Sequence, residues 1–204
     1  MNRRIKNQKV FKSPYLPYKR LLDILICLLL LPVSILLVLI FSCLIIIDSP
    51  GNPFFLQERV GLNGEFFHIY KLRSMYLDAE IKGHQWAEKN DNRITKVGRF
   101  IRKTRIDELP QLLNVLKGDM SLIGPRPERP MFIKKFLQEC PDFNDRLAVK
   151  PGITGWAQVN GGYDLLPREK LVYDKYYIEH MSFNLDFCIF LKTIKIVFTG
   201  DGAR

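Results

Sequence analysis

Two adjacent carboxylates, Asp107 and Glu108, are the residues of this sequence best suited to chemistry, and Leu109 and Pro110 follow them. Because proline lacks a backbone N–H, it fits without cost only in the first turn of a helix. If the helix that contains Leu109 is continuous, its N-cap is therefore no earlier than Asp107. The unpaired N–H groups and the dipole of a helix N-terminus lower a carboxylate pKa and attract phosphate. The pair is predicted either to cap a helix or to take part in phosphoryl transfer.

Cations near the pair in sequence favour a phosphorylated ligand. Arg105 lies two residues before Asp107. Arg126 follows the predicted helix and has a proline on each side, Pro125 and Pro127. The prolines stiffen the backbone that presents Arg126, and a fixed guanidinium can bind phosphate through two hydrogen bonds. A carboxylate, a neighbour able to hold a divalent metal and nearby arginines together are typical of phosphoryl transfer.

The tract at 150–162 is rich in glycine and proline and also carries Trp156, Gln158 and Asn160. An indole can stack on a nucleobase, and two amides can hydrogen-bond to its edge. The same tract is equally compatible with a structural loop around a buried tryptophan. Both interpretations remain open at the level of sequence.

The rest of the sequence predicts an α+β fold that is mainly helical, with one small β-hairpin. Two stretches at 54–60 and 66–72 are separated by Gly61-Leu62-Asn63-Gly64 and predict two strands joined by a turn. Leucines at 109, 112, 113 and 116 recur at helical spacing. Further helices are predicted at 97–105, 131–139, 171–180 and 183–199. Amphipathic helices of this kind are expected to lie at a membrane interface.

One segment, Leu21–Ile47, is apolar except for Asp23, Ser34 and Ser42 and is long enough to cross a bilayer, for which about 20 residues suffice. A spanning anchor would place its two flanks on opposite sides of the membrane. Pro32 offers an alternative, because a proline inside a helix removes a hydrogen bond and bends it. With Ser34 bonding to the freed backbone, the segment would enter the membrane and return as a re-entrant helix.

Charge divides the sequence into three parts. The seven cations before the apolar segment are unaccompanied by acids, suit anionic lipid headgroups and supply most of the net charge of +10. We therefore predict a basic juxtamembrane segment at 1–20, a membrane helix at 21–47 and a catalytic domain at 48–204. The four cysteines form no CxxC pair and fit a reducing compartment. The basic N-terminus is expected in the cytoplasm, and a re-entrant helix would keep residues 48–204 there as well.

Several tracts, in this order, resemble the bacterial sugar transferases, a family of monotopic phosphoglycosyl transferases that act on polyprenol phosphate. The similarity runs from Tyr18 to about Gly202. The motifs that carry it are Lys19-Arg20-Leu21-Leu22-Asp23, Asp48-Ser49-Pro50-Gly51, Gln57-Glu58-Arg59-Val60-Gly61, Tyr70-Lys71-Leu72-Arg73-Ser74-Met75, the Asp107-Glu108 tract, Gly124 to Pro127, and Pro151 to Gly161.

The resemblance implies transfer of a phospho-sugar from a UDP-sugar to undecaprenyl phosphate, with release of UMP and a requirement for Mg²⁺. It implies that Asp107 is a nucleophile that forms an acyl-phosphate and that Glu108 helps to hold the metal or to position the substrate. Arg126 would belong to the phosphate-binding part of the site. Further phosphate contacts are expected from Lys71, Arg73 and Arg105. The implied location is the bacterial cytoplasmic membrane, with the catalytic domain on its cytoplasmic face.

Two positions depart from the family pattern. Where relatives often have Ser-Pro in the re-entrant helix, this chain has Leu36, and its proline lies four residues earlier. Where relatives often follow Asn160 with glycine and a cation, this chain has Gly161 and Gly162. The expected partners are a UDP-sugar, undecaprenyl phosphate and membrane lipid, without nucleic acid, and an oligomer is compatible with the sequence. The competing interpretation is a membrane-tethered protein that binds anionic lipid or nucleic acid without catalysis. The motifs do not identify the sugar.

Overall fold

The computed structural model describes residues 11–81, 91–162 and 165–199. Its longest element is a helix, α1, Tyr15–Asp48, which contains the whole apolar segment. By length and composition α1 is sufficient to cross a membrane, and its most apolar window has a mean hydropathy of 3.3. α1 continues through Pro32 as one helix, so the interruption expected at that proline is not seen.

One stripe of α1 faces the rest of the protein. The residues buried on it are Lys19, Asp23, Cys27, Ser34 and Ile45. They are separated by four, four, seven and eleven positions, and each of these intervals returns to about the same side of a helix. Many of the large aliphatic side chains of α1 are exposed instead. They form the apolar surface that a membrane would cover.

Two strands follow α1 and pair as an antiparallel hairpin. β1, Phe54–Val60, and β2, Phe66–Leu72, pair along their full length. A short 3₁₀ turn joins them and includes Asn63 at a φ of 54°, a left-handed conformation that asparagine adopts more readily than most residues. The hairpin predicted from the sequence is confirmed, including both strand boundaries.

The segment at 106–117, where a single helix was expected, forms two successive helices, and both carboxylates lie in the first of them. α2, Lys96–Lys103, is the amphipathic helix expected before it. A 3₁₀ helix at Ile106–Gln111 follows, and then α3, Leu112–Lys117. Because Pro110 lies inside the 3₁₀ helix and has no N–H to donate, it interrupts the hydrogen-bond pattern there. The single continuous helix predicted from the leucine spacing is therefore wrong.

In the described residues, the C-terminal half adds a second small sheet and four α-helices. β3, Ser121–Ile123, and β4, Gly152–Thr154, form a parallel pair. The helices are α4 Pro130–Glu139, α5 Trp156–Asn160, α6 Pro167–Glu179 and α7 Phe183–Thr199, with a 3₁₀ helix at Pro141–Ala148. The prediction of one sheet and of a loop over 150–162 is wrong, because such short elements leave no periodic pattern. The mainly helical α+β class is confirmed.

Just after β3, the backbone at Gly124 passes so close to β4 that the contact, called here the glycine crossing, leaves no room for a side chain. A Cβ atom on Gly152 would lie 2.1 Å from the backbone nitrogen of Gly124. A Cβ atom on Gly155 would lie 2.1 Å from the backbone oxygen of Gly124. These are backbone atoms, which cannot rotate out of the way. The contact fixes the start of the loop that carries Arg126.

Both ends of α1 are hydrogen-bonded to residues of the same domain. Near its start, Lys19 Nζ donates to Asp186 Oδ2 of α7 at 2.7 Å. At its end, the carboxylate of Asp48 accepts a hydrogen bond of 2.8 Å from the backbone N–H of Val97 in α2. The apolar segment therefore begins and ends against residues of one domain.

The glycine crossing predicts a specific loss of stability. Gly152→Ala should lower the free energy of unfolding by about 3 kcal/mol, because the new methyl group overlaps backbone. Gly162→Ala is the matched control, since its Cβ meets nothing within 4 Å and only its φ of 60° is unfavourable, at a cost of about 1 kcal/mol. Thermal unfolding in detergent measures both, and equal losses would contradict the close crossing.

Candidate active site

The backbone turn that carries Asp107 and Glu108 begins in an unfavourable conformation. Its first flanking residue, Arg105, has a φ of 59°, which costs a non-glycine residue about 1–2 kcal/mol. The 3₁₀ helix that follows buries both carboxylates, each 7% exposed. Asp107 is the second residue of this helix and not its N-cap, which corrects the position predicted from the sequence.

Two cations from other elements meet at one oxygen of Glu108. Lys71, the penultimate residue of β2, donates from Nζ to Glu108 Oε1 at 2.8 Å and lies 3.9 Å from Asp107 Oδ2. Arg126 donates from Nη2 to the same Glu108 oxygen at 2.5 Å. The structure thus brings together four of the residues selected from the sequence.

The two carboxylates differ in their pKa. Burial raises the pKa of Asp107, the charge of Lys71 opposes that effect, and the charge of Glu108 adds to it. Burial acts on Glu108 in the same direction, but Arg126 and Lys71 outweigh it and hold its pKa well below the ordinary value. The expected lowering is therefore wrong for Asp107, because burial outweighs the charge of Lys71, which lies closer to Glu108 than to Asp107.

A rigid loop presents Arg126. On one side, Gly152 N donates to Pro125 O at 3.0 Å, and on the other Arg59 Nη1 donates to Pro127 O at 2.8 Å. Both prolines are buried, and each restricts the backbone next to Arg126. The stiffness predicted from Pro-Arg-Pro is thus accompanied by backbone anchors on both sides.

Arg73 and Arg105, the other two arginines that were expected to contact phosphate, have environments that differ from each other. Arg73 lines the same cavity as the carboxylates, but its guanidinium donates to the backbone oxygens of Ser49 and Pro50. It therefore caps the C-terminal end of α1, where carbonyl groups lack helical partners. Arg105 also lines the cavity and lies near enough to the two carboxylates to lower the pKa of each.

The three side chains expected at a nucleobase are separated in the structure. Gln158 lines the cavity, whereas Trp156 and Asn160 are not among its described lining residues. Trp156 stacks on Tyr176 with ring centroids 5.9 Å apart, and Lys192 Nζ lies 4.5 Å from the indole. Asn160 Oδ1 accepts a hydrogen bond of 2.9 Å from the same lysine. These contacts favour the structural interpretation for Trp156 and Asn160.

Asp107 and Glu108 lie in the wall of a cavity of about 1130 Å³. Arg105, Lys71 and Arg126 contribute to its charged side. The apolar side is built by α1 and α7 and includes Leu22, Ile26, Leu29, Phe187, Phe190 and Val197. The cavity therefore connects the charged site with the apolar surface of α1, and it is large enough for a ligand with both a charged and an apolar part.

The fit of a divalent cation depends on the ligand as well as on the protein. Among the described residues, no group of three or more His, Cys, Asp or Glu side chains is placed to hold a metal. Mg²⁺ commonly uses one or two carboxylates together with phosphate oxygens and water. The adjacent carboxylates of Asp107 and Glu108 fit a site of that kind, which the phosphates of a ligand would complete.

Asn114 aligns the elements around the site and was missed at the level of sequence. It is fully buried in α3, its Oδ1 accepts from Tyr70 N at 3.1 Å, and its Nδ2 donates to His68 O at 2.8 Å. These bonds fix α3 against the strand that presents Lys71. The sequence signal that could have identified Asn114 is an amide side chain within a leucine-rich helix. A polar side chain buried there needs hydrogen-bond partners in neighbouring elements.

The opposite pKa shifts predict opposite effects on stability at pH 7. Burial opposes the ionisation of Asp107, so Asp107→Asn should raise the Tm. Glu108 is ionised with the support of two cations, so Glu108→Gln should lower it. The gain in Asp107→Asn should fade as the pH approaches 3.8, the ordinary aspartate value. The loss in Glu108→Gln should begin to fade only below 4.5.

Thermal unfolding in detergent with a chelator, at several pH values, measures these differences without interference from bound metal. Shifts of the same sign in both variants at pH 7 would contradict the unequal environments of the two carboxylates.

Comparison with known proteins identifies, over nearly the whole chain, the family that the sequence motifs resemble. A sequence profile described as bacterial sugar transferase matches residues 14–200. The UDP-N-acetylgalactosamine-undecaprenyl-phosphate N-acetylgalactosaminephosphotransferase of Aeromonas hydrophila is 50% identical over 189 residues, covering 91% of this chain and 45% of that protein. The UDP-glucose:undecaprenyl-phosphate glucose-1-phosphate transferase of Caulobacter vibrioides is 40% identical over 190 residues, covering 91% and 71%.

A third relative is the undecaprenyl-phosphate galactose phosphotransferase of Salmonella typhimurium, 40% identical over 191 residues that cover 83% of this chain and 40% of that protein. This chain therefore spans less than half the length of the Aeromonas and Salmonella relatives. The names of the three relatives specify three different sugars. The profile match includes every residue of the site described above, and the chain belongs to the bacterial sugar transferase family.

Proposed function

We propose that this protein transfers a phospho-sugar from a UDP-sugar to undecaprenyl phosphate and releases UMP. The observation that carries the proposal is the buried Asp107–Glu108 pair with Lys71 and Arg126, in a cavity whose opposite side is apolar. Cations suit the diphosphate of the donor. The apolar side, between α1 and α7, suits an isoprenoid chain. The three relatives are named for transfer to undecaprenyl phosphate, which supports the same acceptor here.

In the proposed reaction Asp107 acts as the nucleophile. One of its carboxylate oxygens attacks the phosphorus that bears the sugar, the bond from that phosphorus to the bridging oxygen breaks, and UMP leaves with the electron pair. An oxygen of undecaprenyl phosphate then attacks the same phosphorus, and the bond to Asp107 breaks and restores the carboxylate. A covalent intermediate divides one difficult transfer into two easier steps. The product is undecaprenyl diphosphate bearing the sugar.

The neighbours of Asp107 have separate roles in this proposal. Glu108 holds Lys71 and Arg126 at one oxygen, from which both cations can reach phosphate oxygens and stabilise the charge of the transition state. Asp107 and Glu108 are the residues that would hold Mg²⁺, which would supply neutralisation of phosphate charge when bound. The burial of Asp107 keeps water away from the acyl-phosphate.

Release of UMP tests the proposal directly. Purified protein in detergent, with Mg²⁺ and undecaprenyl phosphate, should release UMP from at least one of UDP-N-acetylgalactosamine, UDP-glucose and UDP-galactose, the sugars that the relatives' names suggest. Asp107→Asn should abolish turnover, because an amide is not a nucleophile of comparable strength. Without acceptor, a donor labelled in the sugar should label the wild-type protein and leave Asp107→Asn unlabelled.

The competing interpretation makes a different prediction for the same preparation. A tethered binding protein would release no UMP with any donor and would bind anionic vesicles in a salt-sensitive manner. Turnover equal to that of the wild type in Asp107→Asn would reject the nucleophile while leaving the transferase activity in place.

We also propose that α1 is re-entrant, so that both its flanks and residues 48–204 lie on the cytoplasmic face. The 34 residues of α1 extend about 51 Å, more than the roughly 30 Å of a hydrocarbon core. A straight crossing would carry Lys19 and Asp48 to opposite faces, yet their partners Asp186 and Val97 belong to one domain. Pro32 divides the helix into 17 residues before it and 16 after it, and removes one backbone hydrogen bond at the midpoint.

Cysteine labelling tests this topology. In a cysteine-free background, single cysteines at the N-terminus and at a C-terminal tag should both resist an impermeant thiol reagent applied from outside the cell. Pro32→Leu should convert part of the population to a spanning form, because leucine supplies the backbone hydrogen bond that proline cannot make and so stiffens the helix at its midpoint. If the wild-type N-terminal cysteine is labelled while the C-terminal one is protected, α1 spans the membrane and the re-entrant proposal fails.

A further inference from the structure

A further buried carboxylate, Glu128, lies two residues after Arg126 and contacts three cations. Lys170 Nζ of α6 donates to Glu128 Oε1 at 2.8 Å. Arg146 Nη1, from the 3₁₀ helix at 141–148, lies 3.9 Å from the same oxygen, and Arg59 Nη1 of β1 lies 4.0 Å from Oε2. With Glu128 6% exposed, this cluster joins three separate elements at one side chain.

Arg146, one of the three cations of the cluster, is itself fixed. Arg146 is 2% exposed, and its Nε donates to Asp174 Oδ2 of α6 at 2.8 Å. The guanidinium also lies over the ring of Phe143, 4.9 Å from its centroid. Buried charges of this kind hold their positions because moving one partner leaves the other uncompensated. Glu128 is therefore attached to a rigid part of the domain.

The loop that carries Arg126 is attached to the same elements through its backbone. Val60 N donates to Glu128 O at 3.0 Å, and Arg59 Nη1 donates to Pro127 O at 2.8 Å. Pro127 is the only residue between Glu128 and Arg126, and its ring fixes one of the intervening dihedrals. A shift of Glu128 is consequently transmitted to the backbone of Arg126.

We propose that Glu128 is a positioning residue that places the guanidinium of Arg126 at the Asp107–Glu108 pair. Arg146 pairs with Asp174 and Lys170 pairs with Glu128, each at 2.8 Å, which fits an anchor better than a second phosphate site. The effect on turnover rests on the function proposed above, whereas the anchoring of the loop does not.

The substitution Glu128→Gln removes the charge and keeps the shape of the side chain. It should lower kcat/KM for the donor by about tenfold or more, because Arg126 loses its orientation. Asp145→Asn is a matched control, since it breaks the exposed contact of 2.7 Å between Lys175 of α6 and Asp145 of the same 3₁₀ helix. An exposed pair contributes little, so this variant should stay within about twofold of the wild type. Wild-type kcat/KM in Glu128→Gln would overturn the proposal.

A double-mutant cycle separates positioning from an independent role. Arg126→Lys keeps the charge and loses the planar fork, so it should itself lower kcat/KM about tenfold. If Glu128 acts through Arg126, adding Glu128→Gln to that variant should cost less than about threefold. Independent losses that multiply to about a hundredfold would show that Glu128 or its cations act on the substrate directly and would overturn the proposal.

Hydrogen–deuterium exchange provides a readout that needs no turnover. Peptides that contain the amides of Val60 and Gly152, whose acceptors lie in the loop, should exchange faster in Glu128→Gln than in wild type or Asp145→Asn. If wild type has no transferase activity but this difference is present, the proposed function fails and the anchoring stands. Unchanged exchange would overturn the anchoring. Lys170→Gln, which removes the 2.8 Å partner, gives the same test if Glu128→Gln fails to fold.

Discussion

The burial of two adjacent carboxylates is the constraint on which the site depends. An ionised carboxylate away from water is costly unless cations and hydrogen bonds compensate it. Glu108 receives that compensation from Lys71 and Arg126 at one oxygen. Asp107 receives less, because Lys71 is 3.9 Å from it. The unequal compensation leaves Glu108 as a fixed anion with a lowered pKa and Asp107 as a carboxylate whose pKa is raised by burial.

Because the two cations come from different elements, the surrounding fold must hold those elements in register. Lys71 is held through Asn114 of α3, which bonds the backbone of His68 and Tyr70, the part of β2 just before Lys71. Arg126 is held through the crossing of Gly124 and Gly152 and through the cluster around Glu128. Neither anchor touches Asp107. Both act by limiting where a cation can lie, which is how a protein scaffold preorganises charge for a reaction.

The sequence predicted the parts of this arrangement that are local in the chain. The hairpin and the stiff Pro-Arg-Pro loop follow from turn residues and proline, and the structure has them where they were expected. The carboxylate pair follows from residue type, but it lies inside a 3₁₀ helix and Asp107 is not its N-cap. The roles of Arg73 and Trp156 did not follow, because a guanidinium that caps α1 and one that binds phosphate look alike in sequence. The pKa of Asp107 also depends on burial and on one distance to Lys71, and both are properties of tertiary packing.

The one acidic residue within the apolar segment links α1 to the candidate active site. Asp23 is buried, its Oδ2 accepts from Ser121 Oγ at 2.7 Å, and its Oδ1 accepts from Leu122 N at 3.2 Å. Both donors lie in β3, the strand that leads directly into the loop of Arg126. An acid at this point in an apolar helix is tolerated because it has fixed partners in the protein. The position of α1 and that of the loop of Arg126 are therefore linked by the same hydrogen bonds, so a shift of the helix would also shift the charged side of the cavity.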